Sequence, residues 1–515
     1  MPPVEDVTTR MPAVQEGEAL LAVYFDFAMP CYRYLHRPTV ADRLAEMQRW
    51  ESDPNRDPCQ GSKLSSQEAV VWVVLATAIL FKVAEPLAAS EKIAEQYYTA
   101  AVGALSRETG RARLESVQAR LAACLYLLHT GRPNEAWHNL GTTVQLALAL
   151  GLHRTRVAQP TDDVVIQECR KRTLWSVATL DTYMSVMLGR PALIHESEVS
   201  QRYPQALDDD EMVGGKSAEM MGDRVIQASI HHAKLARIAK RAAQAQSSTQ
   251  LQTDRQKVET ATLVMNELHG WKRSLPVILS GAVHPSNLIP IFRRQTMVLR
   301  LAHAHATMLV TRPLLLVESV DAVSLQPCIS ACLEAATTTL QMMSGTRSEV
   351  TTFSAFWFTQ YVAFNAVSIA YVWLIQRKRS RFLEMKVALT DNEILHEAEA
   401  VQKLFAGAVE MNAPSLRYNV VLEELRQELL RLSAKSDPRK LSEREQQAVD
   451  SSSAARPQDE LYGVISGEPA TEAVPLSVES EMPLDGLNLD FPFEPDLWLQ
   501  LDSFPFSDLA FNEWT

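Results

Sequence analysis

Between Phe353 and Ile375 the chain runs for 23 residues without a charged side chain. No other stretch constrains the fold as much, because a helix of that length and polarity has to be enclosed by lipid or by protein. The run also holds Ser354, Thr359, Gln360, Asn365 and Ser368, and the sequence has no second run like it. Those two features favour the central helix of a large bundle over a membrane span, and no membrane partner is expected.

A bundle needs other helices, and the remaining pattern supplies them. Glycine accounts for only 18 of 515 residues, while Ala, Leu, Glu, Gln, Arg and Met are plentiful. Asn134 opens a segment that closes at Gly151, with Trp137, Leu140, Val144 and Ala147 on one stripe. Residues 168–188 repeat the pattern through Leu174, Val177, Asp181, Met184 and Leu188 before Gly189 and Pro191 stop the helix. Ten more segments read as helices: 68–84, 91–106, 116–129, 223–244, 254–272, 290–310, 326–344, 353–376, 391–411 and 416–433. Alternating strands are absent, so the fold class is all-α, a large multi-helix bundle of about a dozen helices. Residues 205–222 read as an exposed acidic loop.

Chemistry is hard to find. The sequence has no glycine-rich phosphate loop, no H-E-x-x-H and no G-x-S-x-G, so no enzyme and no cofactor are expected. Cys31, Cys59, Cys124, Cys169, Cys328 and Cys332 are scattered and read as small buried apolar residues rather than a zinc framework. His231 and His232 are adjacent, and His303 and His305 lie two apart on a helix, so neither pair can share a metal; both read as solvated or core-edge. Asp181 sits on an apolar stripe, where a carboxylate needs a partner; Arg154, Arg172 and Arg190 are the nearest candidates in the chain. Arg377, Lys378, Arg379 and Arg381 follow the long apolar helix, where they complement its C-terminus or serve as a nuclear localisation signal.

Charge divides the chain. Residues 457–515 carry 13 acidic side chains and no Lys or Arg, so of the net −12 the first 456 residues account for +1. Four parts follow: a short disordered N-terminus over 1–19, a helical body over 20–433, a disordered Ser, Pro, Glu and Gln-rich linker over 434–483, and an acidic-aromatic segment over 484–515. In the last part Leu489, Phe491, Phe493, Leu497, Trp498, Leu501, Phe504 and Phe506 alternate with acids, the pattern of an activation segment whose apolar anchors fold onto a coactivator groove. The alternative is a solvated tail whose aromatics dock on the protein itself.

Several motifs occur in order: Tyr24-Phe25 with Cys31 through Pro38, Val117 through Leu121, and Ala136-Trp137 through Gly151-Leu152-His153-Arg154. They continue with Glu168 through Trp175, Leu180-Asp181, Leu188-Gly189-Arg190-Pro191, and Tyr203-Pro204 with the acidic stretch after it. Together they resemble the fungal-specific transcription factor domain, the middle homology region of fungal zinc-cluster regulators. Within these, Trp137, Gly151, Leu152, His153, Trp175, Asp181, Leu188, Gly189, Arg190 and Pro191 are expected to be structural. The resemblance spans roughly 20–430 and implies a nuclear transcription regulator, by family analogy an activator of a metabolic or secondary-metabolite gene set. It departs from the family pattern in lacking a six-cysteine cluster. Direct DNA binding is therefore expected only if a zinc cluster lies upstream of this sequence, and otherwise through a DNA-binding partner. Coactivator or mediator-type proteins are the partners expected at the tail. Dimerisation with itself or a related chain, and a small-molecule effector, stay open. The alternative is a ligand-sensing or inhibitory adaptor that binds another regulator.

Overall fold

The computed structural model describes residues 10–53, 65–82, 87–156, 163–214, 223–246, 253–345, 356–408, 413–435 and Trp498. Among them are sixteen α-helices and no strand. In chain order these are α1 Val14–Val23, α2 Arg37–Ser52, α3 Ser65–Leu80, α4 Leu87–Ser106, α5 Leu114–His129, α6 Pro133–Ala149, α7 Val164–Leu188 and α8 Asp209–Gly214. There follow α9 Ile226–Gln246, α10 Asp254–Arg273, α11 Val277–Ser280, α12 Pro290–Thr311, α13 Ala322–Gly345, α14 Trp357–Lys378, α15 Asp391–Ala408 and α16 Ala413–Lys435. The twelve helices expected from periodicity are all present. The four additional ones are α1, α2, α8 and α11.

Helix α2 hides in the sequence because Pro38 looks like a breaker. It sits in the first turn, where its missing N–H has no intrahelical partner to lose. Helix α1 begins at Val14, inside the stretch expected to be unstructured up to residue 19, and is tied to α2. The Met11 N–H donates to Glu51, Gln48 donates to the Pro12 carbonyl, and a Cβ on Gly17 would lie 2.7 Å from Gln48 Nε2. Of the linker expected over 434–483, Ala434 and Lys435 instead close α16; the rest of it and, apart from Trp498, the acidic tail lie outside the described residues.

Helix α14 is the apolar run, and protein encloses it as expected. It packs against α12, α13, α15 and α16, and every residue from Gln360 to Gln376 is buried. Three of its polar side chains find lateral partners in the bundle. Arg312 donates to Asn365, the Tyr371 hydroxyl donates to Gln402, and Ser415 donates to Gln360. Helix α14 alone, among the described residues, is long and apolar enough to cross a membrane, and 94% of its apolar window is buried in protein. In the other half of the body α3 packs on α4 and α5, α5 on α6, and α7 on α9, while α9 and α12 join the two halves.

The histidines are more interior than the sequence suggests. His231, His232 and His305 are buried, not solvated, because their helices turn them onto packed faces. Burial pushes His231, His232 and His303 down to about 4 and His305 down to about 3, from an ordinary 6.5. A depressed value means that unfolding takes up a proton, so the stability these groups contribute is complete above pH 6.5 and is lost as the pH falls through about 4. Urea midpoints should therefore drop between pH 7 and pH 5, each histidine adding about 1.4 kcal/mol per pH unit at most. His305→Leu should flatten that slope by about one proton; an unchanged slope would show that His305 is protonated in the folded chain.

Candidate functional site

The residues singled out by the sequence meet around α7 and the strap that follows it. Asp163 caps the start of α7 by accepting from the Val165 N–H at 2.8 Å, and Gly189 ends the helix in the left-handed conformation at φ 62°. The chain then doubles back. Asp181, 2% exposed at mid-helix, accepts from the Leu193 N–H at 2.9 Å and the Ile194 N–H at 3.0 Å. Its cation is Lys240 of α9, 3.9 Å away, which also donates to the Ile194 carbonyl. The expected arginine partner is thus replaced by two backbone amides and a lysine. Burial pushes the Asp181 carboxyl up, against the lowering pull of those hydrogen bonds and of Lys240.

The three arginines expected at Asp181 have other work. Arg190 donates to Asn134 at 2.7 Å and lies 4.6 Å over the Trp137 ring, joining the end of α7 to the start of α6. Arg154 bonds to His153. Arg172, 3% exposed, donates to Asp209 at 2.6 Å and to the Leu207 carbonyl.

That last contact corrects the exposed acidic loop. Its first acids are structural: Asp208 accepts from the N–H groups of Val225 and Ile226 at the start of α9, and Asp209 accepts from the Arg37 N–H at 2.8 Å. Burial would raise the Asp209 carboxyl, but the Arg172 charge and these hydrogen bonds hold it below its ordinary value. Glu211 pairs with Arg224 at 2.9 Å. Residues 215–222 lie outside the described residues.

The remaining motif residues seat the strap. Trp175 donates to the Arg202 carbonyl at 3.0 Å and stacks on Tyr203 at 4.2 Å. Buried Glu168 accepts from Lys171 and from the Gln205 N–H. Gly151 adopts φ 65°, buries Leu152, and presents the His153 carbonyl to the N–H groups of Ser200 and Gln201. Leu188 is buried, whereas Pro191 is exposed. A cleft of about 110 Å³ remains between strap and α9, lined by Trp175, Thr182, Glu196, Arg237 and Lys240. Its charges answer one another, Arg237 to Glu196 and Lys240 to Asp181, so the cluster holds a shape and carries no nucleophile paired with a base.

Elsewhere, three of the four cations at the end of α14 and just beyond it are engaged by the body. Arg377 donates to the Phe382 and Leu383 carbonyls, Arg379 pairs with Glu428, and Arg381 donates to Leu315 and Val317; Lys378 is exposed. Trp498 is 3% exposed within the core, with the Arg312 guanidinium 5.2 Å over its ring. Leu489, Phe491, Phe493, Leu497, Leu501, Phe504 and Phe506 lie outside the described residues. Cys31, Cys124, Cys169, Cys328 and Cys332 are free and buried, Cys59 lies outside the description, and no metal-holding cluster occurs among the described residues. Lys240 was missed in the sequence, although its place four residues after Ala236 on an apolar stripe signals a buried cation in need of an anion.

Residues 21–273 match the model of the fungal specific transcription factor domain. A putative transcriptional regulatory protein of Saccharomyces cerevisiae is 26% identical over 266 residues, covering 50% of this chain and 34% of that protein. The activator of stress genes 1 of the same yeast is 23% identical over 422 residues, 78% of this chain and 42% of its own length. An ABC-transporter-regulating transcription factor of Aspergillus oryzae is 26% identical over 272 residues, 52% and 29%. The chain thus spans less than half the length of these relatives.

Asp181→Ala should destabilise the body by about 3 kcal/mol, because it leaves Lys240 and two amides buried without their anion. Adding Lys240→Met should recover part of that loss in urea denaturation. Additive losses would show that the two side chains act independently.

Proposed function

We propose, from the match of residues 21–273 to the fungal specific transcription factor domain and from the transcription regulators that the chain resembles, that it is a regulator rather than an enzyme and activates transcription of a metabolic or secondary-metabolite gene set. The observation that carries the activator reading is the charge division: a body near neutrality joined to 59 residues with 13 acids, no cations and seven aromatic anchors after residue 490. Acids keep such a segment solvated and steer it toward basic grooves, while Phe, Trp and Leu supply affinity by burial, about 2 kcal/mol each. In this reading coactivator or mediator-type proteins bind the tail and the protein works in the nucleus. The relatives include a regulator of ABC transporters, which supports a metabolic or transport target set.

The reading assigns DNA recognition to a partner, or to a zinc cluster outside this sequence. These 515 residues show no zinc-cluster cysteine spacing, and the first 456 sum to +1. Phosphate neutralisation needs more cations than that. The basic run at 377–381 serves nuclear entry mainly through Lys378, since its arginines are bound to the body.

One observation favours an added restraint. Trp498, an expected coactivator anchor, is buried against Arg312, as in the self-docked alternative. A docked tail has to leave the body before a coactivator can take the same ring.

Fused to a heterologous DNA-binding domain, residues 457–515 should drive a reporter in a fungal host. Trp498→Ala with Leu501→Ala should remove most of that output, and the whole chain should drive it less strongly than the tail alone. A silent tail fusion, or a double variant as active as its parent, would defeat the activator reading. In gel shifts the purified 515-residue chain should bind DNA weakly and without sequence preference; tight, specific binding would reassign DNA recognition to the helical body.

A further inference from the structure

A second cavity, of about 60 Å³, lies where α5, α7, α9, α12 and the start of α14 converge on residues 28–32. A single water needs roughly 10–15 Å³ of such space and takes about 30 Å³ of liquid, so the cavity has room for about one six-membered ring with a small substituent. Its walls are flat and apolar. Tyr183 stacks on His232 at 5.3 Å, Phe358 leans on Tyr183 at 4.8 Å, and Phe356 also lines the space.

Five buried polar atoms without protein partners belong to residues of this cavity. The hydroxyls of Tyr32 and Tyr183, both ring nitrogens of His232, and Arg294 Nε are buried and lack a hydrogen-bond partner among the described residues. Tyr183 is 1% exposed and His232 3%. Each such orphan costs about 1–3 kcal/mol, and native folds hold few of them. Arg294 is the telling one. Among the described residues it has no carboxylate; its guanidinium rests 3.8 Å over Phe356 and 5.1 Å over Phe27. A permanent cation on aromatic faces without a counter-ion is a planar receptor for an anion, and a carboxylate matches its fork.

We propose that this cavity binds a small monocarboxylate carried on a planar apolar body of benzoate size. The carboxylate accepts from Arg294 and the two tyrosine hydroxyls, while the ring lies among Phe356, Phe358 and the His232 face. One guanidinium offsets one charge, which disfavours dianions such as phosphate. Tyr32, Tyr183 and His232 belong to the family-matched residues, whereas Arg294, Phe356 and Phe358 lie beyond them. Ligand binding therefore bridges the two halves of the body. It holds whether or not the tail activates transcription, because binding is read on purified protein.

Isothermal titration of the purified full chain with sodium benzoate, benzamide and sodium acetate tests it. Benzamide keeps the ring without the charge, and acetate keeps the charge without the ring. Benzoate should bind one to one and at least tenfold more tightly than either. Arg294→Gln should abolish the preference for benzoate over benzamide. Tyr183→Phe, which removes only a hydroxyl without a protein partner, should weaken benzoate severalfold while leaving the urea midpoint unchanged or higher. The proposal is overturned if benzoate binds no better than benzamide, if no probe binds, or if Tyr183→Phe and a folded Arg294→Gln both bind benzoate like the parent.

Discussion

A single buried carboxylate organises the region that carries the family motifs. Asp181 lies in the middle of α7, out of water, and takes the N–H groups of Leu193 and Ile194. Those bonds fold the chain after Pro191 back along α7, and Lys240 closes the arrangement from α9. Once the strap is pinned, the residues that follow reach three helices: Tyr203 the Trp175 ring and Gln205 the Glu168 carboxylate on α7, Asp209 the start of α2, and Asp208 the start of α9. The motif residues are thus spaced along the chain as they are because they meet in one joint. A buried charge of this kind is costly to orphan, which is why the joint tolerates little change.

Much of this was legible before the structure. The uncharged run announced a central helix, and two of its polar residues, Gln360 and Asn365, turned out to be lateral hydrogen-bonding points of a protein-enclosed helix. Periodicity located the twelve helices that bury a broad apolar stripe. It missed α2, whose Val40, Leu44 and Met47 are diluted by charged neighbours, and α8 and α11, which are too short to show a period. The burial of Asp181 was readable from its stripe, but its partners were not. Backbone amides leave no mark in a sequence, and Lys240 comes from 59 positions away. The acidic stretch misled for a related reason: Asp208 and Asp209 look solvated until the N–H groups and the arginine that they satisfy are brought to them by the fold. The cavity beneath α14 was invisible, since Tyr32, Tyr183, His232 and Arg294 are ordinary residues in separate helical patterns and connections.

Together these features separate the protein's tasks. A tightly jointed helical body provides shape and, through the cavity, a place where a small acid joins its halves. The acidic tail provides charge and aromatic anchors, one of which the body already holds. In the proposed reading, a first 456 residues that sum to +1 leave DNA recognition to a partner or to residues outside this sequence.

Cross-linking a tagged chain to chromatin in a fungal host, followed by genome-wide sequencing of the recovered DNA, addresses the proposed regulatory role most directly. Enrichment at a discrete set of promoters is the expected result. Recovery indistinguishable from an untagged control at every promoter would contradict it.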